Sequence, residues 1–136
     1  MNEGQGIKII VSMIGLDGHT TGGEVVSMIL RDAGMEVVYL GCNQTPEAIV
    51  QAAIQEDVDF IGISSHASNY DQIELLVRLL GESNAAGIQV ICGGNIPHDR
   101  TLDLKAKGVA EVFPPGSSRE AIVGYIVGQV RARTAA

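Results

Sequence analysis

The chain has 136 residues, 46% hydrophobic and 18% charged, enough for one domain with its own core and unlike a disordered chain. Nine Lys and Arg against 16 Asp and Glu give a net charge of −7, which argues against nucleic acid or anionic membrane as the main partner because both need clustered cations. No secretory signal or long apolar span is visible, so the expectation is a cytoplasmic protein with no membrane partner.

Five short apolar runs alternate with five helical periods. The first run, 8–13, leads through Gly15-Leu16-Asp17-Gly18-His19 into a helix over 21–33 that Gly34 closes. A strand over 36–40 follows. Thr45-Pro46-Glu47 then reads as N-cap, first-turn proline and acidic first turn of a helix over 46–56. The strand over 60–64 ends in Ser64-Ser65-His66, and Asn69 with Gln72 offers capping-box spacing for a helix over 70–80. A strand over 89–92 runs into Gly93-Gly94, and a helix over 99–107 stops at Gly108. After the last strand, 111–113, Ser117 and Glu120 have capping-box spacing for a helix over 118–132, and the Gly116-Ser117 turn reads mainly as a cap.

Most of these runs are continuous and rich in Val and Ile, as strands covered on both faces are. Five βα units in one domain (1–136, core about 7–130) predict an α/β doubly wound parallel sheet with helices on both faces. The flavodoxin-like strand order 2-1-3-4-5 is expected. Its switch point lies between the first and third strands, so the loops carrying Asp17-Gly18-His19 and Ser64-Ser65-His66 should build the site. Strands two and four are not neighbours in that order. Cys42 and Cys92 should therefore stay free thiols.

Asp17 stands two residues before His19, the arrangement in which a carboxylate orients a metal-ligating imidazole. The alternative for each is a solvated loop histidine and a turn-forming aspartate. Paired glycines recur on the same rim, Gly22-Gly23 and Gly93-Gly94, where a bulky ligand could lie on the backbone or the chain simply turn. Ser64 can hydrogen-bond a ligand heteroatom, and Ser65 reads more as a turn or helix cap.

The stretch 17–22 fits an Asp-x-His-x-x-Gly pattern within the block Gly15-Leu16-Asp17-Gly18-His19, and further blocks accompany it. They are Leu30-Arg31-Asp32-Ala33-Gly34, Gln44-Thr45-Pro46-Glu47, Gln55-Glu56-Asp57-Val58-Asp59, Gly62-Ile63-Ser64, Cys92-Gly93-Gly94 with Ile96-Pro97, and Gly108-Val109-Ala110-Glu111-Val112-Phe113. Together they resemble the cobalamin-binding part of the adenosylcobalamin-dependent acyl-CoA mutases, the methylmalonyl-CoA mutase-like family, from Lys8 to about Val127.

The resemblance implies a small subunit of a carbon-skeleton mutase that binds adenosylcobalamin base-off, with His19 as the axial ligand of cobalt and Asp17 hydrogen-bonded behind it. It implies that Gly22 leaves room for the nucleotide tail, Ser64 bonds the buried base, and Gly93 and Gly94 pack against the tail. Gly18, Thr20, Thr21 and His66 join them as cofactor-binding candidates, and no catalytic residue lies on this chain. It also implies a separate large acyl-CoA-binding subunit, a TIM barrel, without which the chain is inactive.

Three features depart from that pattern: His66 replaces the leucine of a Ser-x-Leu motif, Thr20-Thr21 replaces Asp-Arg, and Ala67-Ser68-Asn69-Tyr70 replaces a Gly-His loop. His66 either adds a polar contact to the nucleotide or a partner, or sits exposed at the loop mouth. The substrate is therefore not inherited from methylmalonyl-CoA mutase.

Other readings compete. A glutamate-mutase-like small subunit has the same architecture, while a corrinoid methyl carrier usually has a helical cap before the binding domain. A response-regulator receiver needs an aspartate ending the third strand and a lysine ending the fifth, and this chain has Ser64 and Phe113 there. An FMN module leaves His19 without a role, and a zinc module using Asp17, His19 and His66 needs a further ligand.

Overall fold

The structure is a computed structural model and describes residues 3–15, 17–66 and 69–135. Leu16, Ala67 and Ser68, which entered the resemblance and its departures, lie outside the described residues. The elements alternate as β1 (Lys8–Ser12), α1 (Thr21–Asp32), β2 (Glu36–Gly41), α2 (Pro46–Glu56), β3 (Phe60–Ser65), α3 (Tyr70–Glu82), β4 (Gln89–Gly94), α4 (His98–Ala106), β5 (Glu111–Phe113) and α5 (Arg119–Ala135). The strands form one parallel sheet in the order β2-β1-β3-β4-β5, as the sequence predicts.

Side-chain alternation divides the core in two. Ile10, Ile61, Ile63, Val90 and Cys92 pack with Ile49, Ile73, Leu76 and Leu104 of α2, α3 and α4. On the other face Ile9, Val11, Phe60 and Ile91 meet Leu30 of α1 and Ile122 and Ile126 of α5. Because each strand feeds both layers, the apolar runs are continuous rather than alternating.

The predicted punctuation is partly realised. Thr45 caps α2 by accepting the N–H of Ala48 at 3.1 Å, and Gly34 and Gly108 take φ of 97° and 110° after their helices. Two caps differ from expectation. Ser118, not Ser117, caps α5 by accepting the N–H of Ala121 at 3.0 Å, because Ser117 Oγ is turned back to the Pro114 carbonyl at 2.6 Å. Asn69 forms no side-chain cap on α3, because its amide bridges two loops instead. Strands β3 and β4 run past the expected 64 and 92, since Ser65 pairs with Gly94 in the ladder. Cys42 and Cys92 are both free, and burial pushes the Cys92 thiol up to about 12.

Candidate functional site

The rim at the strand C-termini is held by bonds between loops. Gly15, at φ 65°, donates its N–H to the Gln44 carbonyl at 2.8 Å. The Asn69 side chain donates to the Ile14 carbonyl at 3.0 Å and accepts from Ser65 Oγ at 2.7 Å. This buried strut ties the loop after β1 to the loop after β3 on either side of the switch point. Sequence reasoning missed it, because Asn69 and Ile14 are 55 residues apart and no local pattern marks the pair.

Asp17 stands between the same two loops and is buried. Its Oδ2 accepts the backbone N–H of His66 at 2.7 Å. Its Oδ1 accepts the backbone N–H of His19 at 3.1 Å and meets the His19 ring at Nδ1, 2.9 Å away. Burial pushes the carboxyl up, but the N–H groups of His66 and His19 and the His19 ring outweigh it and hold it below its ordinary value. An ionised carboxylate only accepts, so Nδ1 of His19 carries a proton and Nε2 of the neutral ring keeps its lone pair. With its side chain 66% exposed, His19 is held by one nitrogen and available at the other.

Beside this pair lies a cavity of about 500 Å³ between the sheet and helices α1 and α5. Strand parity explains it. On the α1/α5 face, Val11 and Ile91 are followed toward the rim by small positions: Gly62 and Ser64 on β3 and Gly93 on β4, all lining the space. The opposite face carries Ile61, Ile63 and Cys92 at the intervening positions and is filled. Ile9, Leu30 and Ile122 make the floor apolar, and Phe113 and Pro114 form another wall.

Five residues expected at a ligand, Gly22, Ser64, His66, Gly93 and Gly94, line this cavity. A Cβ on Gly22 would stand 3.3 Å from His66 Cε1 and 3.4 Å from Ser64 Oγ, so these three converge on one spot. His19 is adjacent, its ring centroid 5.5 Å from that of His66. Asp17, Gly18, Thr20 and Thr21 are not in the cavity wall; Thr20 occupies the N-cap of α1 without a side-chain cap bond, and Thr21 opens the helix. Ser117 and Gly116 do line it, although their sequence reads as a cap. Among the described residues no three His, Cys, Asp or Glu side chains form a metal-holding group.

Residues 7–123 match the B12 binding domain family. The chain belongs to that family. It is 42% identical over 117 residues to the pivalyl-CoA mutase small subunit of Xanthobacter autotrophicus, covering 86% of this chain and 79% of that one. Against the 2-hydroxyisobutanoyl-CoA mutase small subunit of Aquincola tertiaricarbonis it is 39% identical, covering 95% and 96%. The ethylmalonyl-CoA mutase of Cereibacter sphaeroides is 37% identical, but this chain spans only 17% of its length.

Among solved structures, a cobalamin-binding protein from Desulfitobacterium hafniense superposes with a TM-score of 0.77 at 18% identity, over 89% of this chain and 57% of that one. The receiver domain of NarL from Mycobacterium tuberculosis gives 0.73 at 13% identity, over 93% and 98%. Both likenesses concern the fold.

The residues present fit a cobalamin. An imidazole is fixed by a carboxylate at one nitrogen and open at the other. An apolar cavity walled by glycines opens beside it, where bare backbone leaves the room that side chains would fill.

Proposed function

We propose that this chain is the cobalamin-carrying small subunit of an acyl-CoA mutase, using the adenosyl form of the cofactor. The observation that carries the reading is the Asp17–His19 pair at the mouth of a glycine-walled apolar cavity. His19 would ligate cobalt through Nε2, and Asp17 fixes the tautomer that leaves this nitrogen free. Asp17 is itself held by the His66 N–H, so the ring's orientation is set by both loops of the switch point. Ser64, Gly22, Gly93 and Gly94 would hold the nucleotide tail, with Gly18, Thr20 and Thr21 at the rim. Bound adenosylcobalamin supplies a cobalt–carbon bond that breaks homolytically to start radical chemistry.

The division of labour follows from what this chain offers. Its exposed imidazole stands at the edge of the site, so a cofactor held there would lie partly open unless something outside this chain covered it. A larger partner subunit is supported by the relatives named as small subunits of acyl-CoA mutases. We assign to that partner the TIM barrel, the acyl-CoA site and the choice of substrate. Among the described residues no helix is long and apolar enough to cross a membrane; a cytoplasmic location is part of the proposal.

The test is reconstitution with a candidate large subunit and adenosylcobalamin, following conversion of branched acyl-CoA substrates. Turnover should require both subunits and disappear with His19→Ala. Turnover by the large subunit alone, or full activity in the His19→Ala pair, refutes the reading.

A further inference from the structure

His66 is the departure that the family assignment does not absorb. Its backbone N–H belongs to Asp17. Its ring is wedged between two glycines: Cε1 lies 3.3 Å from where a Cβ on Gly22 would stand and 3.0 Å from where one on Gly94 would stand. Its Nδ1 is buried with no hydrogen-bond partner among the described residues.

Buried imidazole nitrogens normally have partners, since leaving one unmet forfeits the hydrogen bond that water gave it. An apolar side chain here would carry no such cost, so the imidazole calls for a partner that its described neighbours do not give it. The apolar floor of Ile9, Leu30 and Ile122 cannot relieve it. As the ring stands Nδ1 is closed off and Cε1 and Nε2 are the atoms nearest Gly22, so a ligand heteroatom at the wall formed by Gly22, Ser64 and Gly94 relieves Nδ1 once the ring turns. Neither glycine has a Cβ, so that turn meets bare backbone on both sides, where any larger residue would block it.

Resting on the reading that this cavity takes the cofactor's tail, we propose that His66 is a specificity-determining residue. Its Nδ1 hydrogen-bonds a heteroatom of the nucleotide tail, so the chain selects corrinoids that carry a tail over those that lack one. The same residue's N–H clamps Asp17, so seating the tail against His66 also steadies the carboxylate behind His19.

Equilibrium dialysis of the full chain with hydroxocobalamin and with tail-free diaquocobinamide tests this without any turnover. Wild type should prefer hydroxocobalamin. His66→Leu should weaken hydroxocobalamin binding about tenfold or more, the loss of one hydrogen bond to a buried group, and leave diaquocobinamide within about twofold. His66→Asn, whose polar atoms sit near the place of Nδ1, should recover most of the preference, whereas His66→Gln, reaching toward Nε2, should not. This pair keeps the test open if the leucine variant fails to fold.

Equal losses for both corrinoids, an unchanged preference in His66→Leu, or rescue by Gln and not Asn would each overturn the role of Nδ1 while leaving the cavity assignment standing. A wild-type chain that binds neither corrinoid, or binds both equally, overturns the cavity assignment and the inference with it.

Discussion

Replacing Asp17 with Asn keeps the shape of the side chain and removes its charge. The carboxylate receives the His66 N–H at 2.7 Å, the His19 N–H at 3.1 Å and His19 Nδ1 at 2.9 Å. An amide cannot accept at both ends. If its oxygen keeps His19, its NH2 faces the His66 N–H, donor against donor. If its oxygen turns to His66, the NH2 faces His19, and Nδ1 must give up its proton and leave it on Nε2. Either orientation forfeits at least one charge-assisted bond at a buried site, about 1.5–3 kcal/mol.

At a urea slope of about 1–3 kcal/mol/M, that loss lowers the midpoint by about 1 M with the slope unchanged. Imidazole 15N chemical shifts on the cofactor-free chain report the tautomer directly. Wild type should show a protonated Nδ1 and an unprotonated Nε2 on the neutral His19 ring, and the variant should lose that bias. A variant within about 0.3 kcal/mol of wild type and with the same tautomer would refute the claim that this carboxylate clamps the loop and sets the ring.

Two glycines of the cavity wall should respond differently. Gly94→Ala should destabilise by about 2–4 kcal/mol in urea unfolding, because Gly94 has φ 112° and its Cβ would run into the Ser65 carbonyl. Gly22→Ala should leave stability within about 1 kcal/mol, since Ala favours the helix and its Cβ meets only side-chain atoms at 3.3 and 3.4 Å, yet weaken cobalamin binding in dialysis. An unstable Gly22→Ala or a stable Gly94→Ala contradicts the geometry. Thiol titration should find one reactive cysteine in the native chain, half-buried Cys42, and two in denaturant, because Cys92 is buried with its pKa pushed up to about 12. Two fast thiols in the native chain would contradict that burial.

The doubly wound sheet was legible because Ile9, Ile10 and Val11 are all buried, alternately on two faces, and a short run apolar at every position suits a strand covered on both sides. The Asp17–His19 contact was legible because it spans two residues. What escaped the sequence depends on pairing. Ser65 reads as a loop residue until Gly94 is placed opposite it. Asn69 carries a helix-start signal, but its amide is taken up by two buried bonds, to Ser65 and to Ile14 across the switch point, and is not free to cap. The cavity itself exists because Gly62, Ser64 and Gly93 share one sheet face, a fact of strand parity that composition does not carry. His66 was visible as a departure, whereas its unpartnered Nδ1 follows only from the packing between Gly22 and Gly94.

The central proposal is His19 as the protein's ligand to cobalt. The direct test is the Co(II) EPR spectrum of cobalamin bound to the chain, with and without nitrogen-15 histidine and with His19→Ala. Coupling from one axial nitrogen that changes with the histidine label and vanishes in His19→Ala is the predicted result. Coupling that ignores the label, showing the cofactor still bound by its own base, would contradict it.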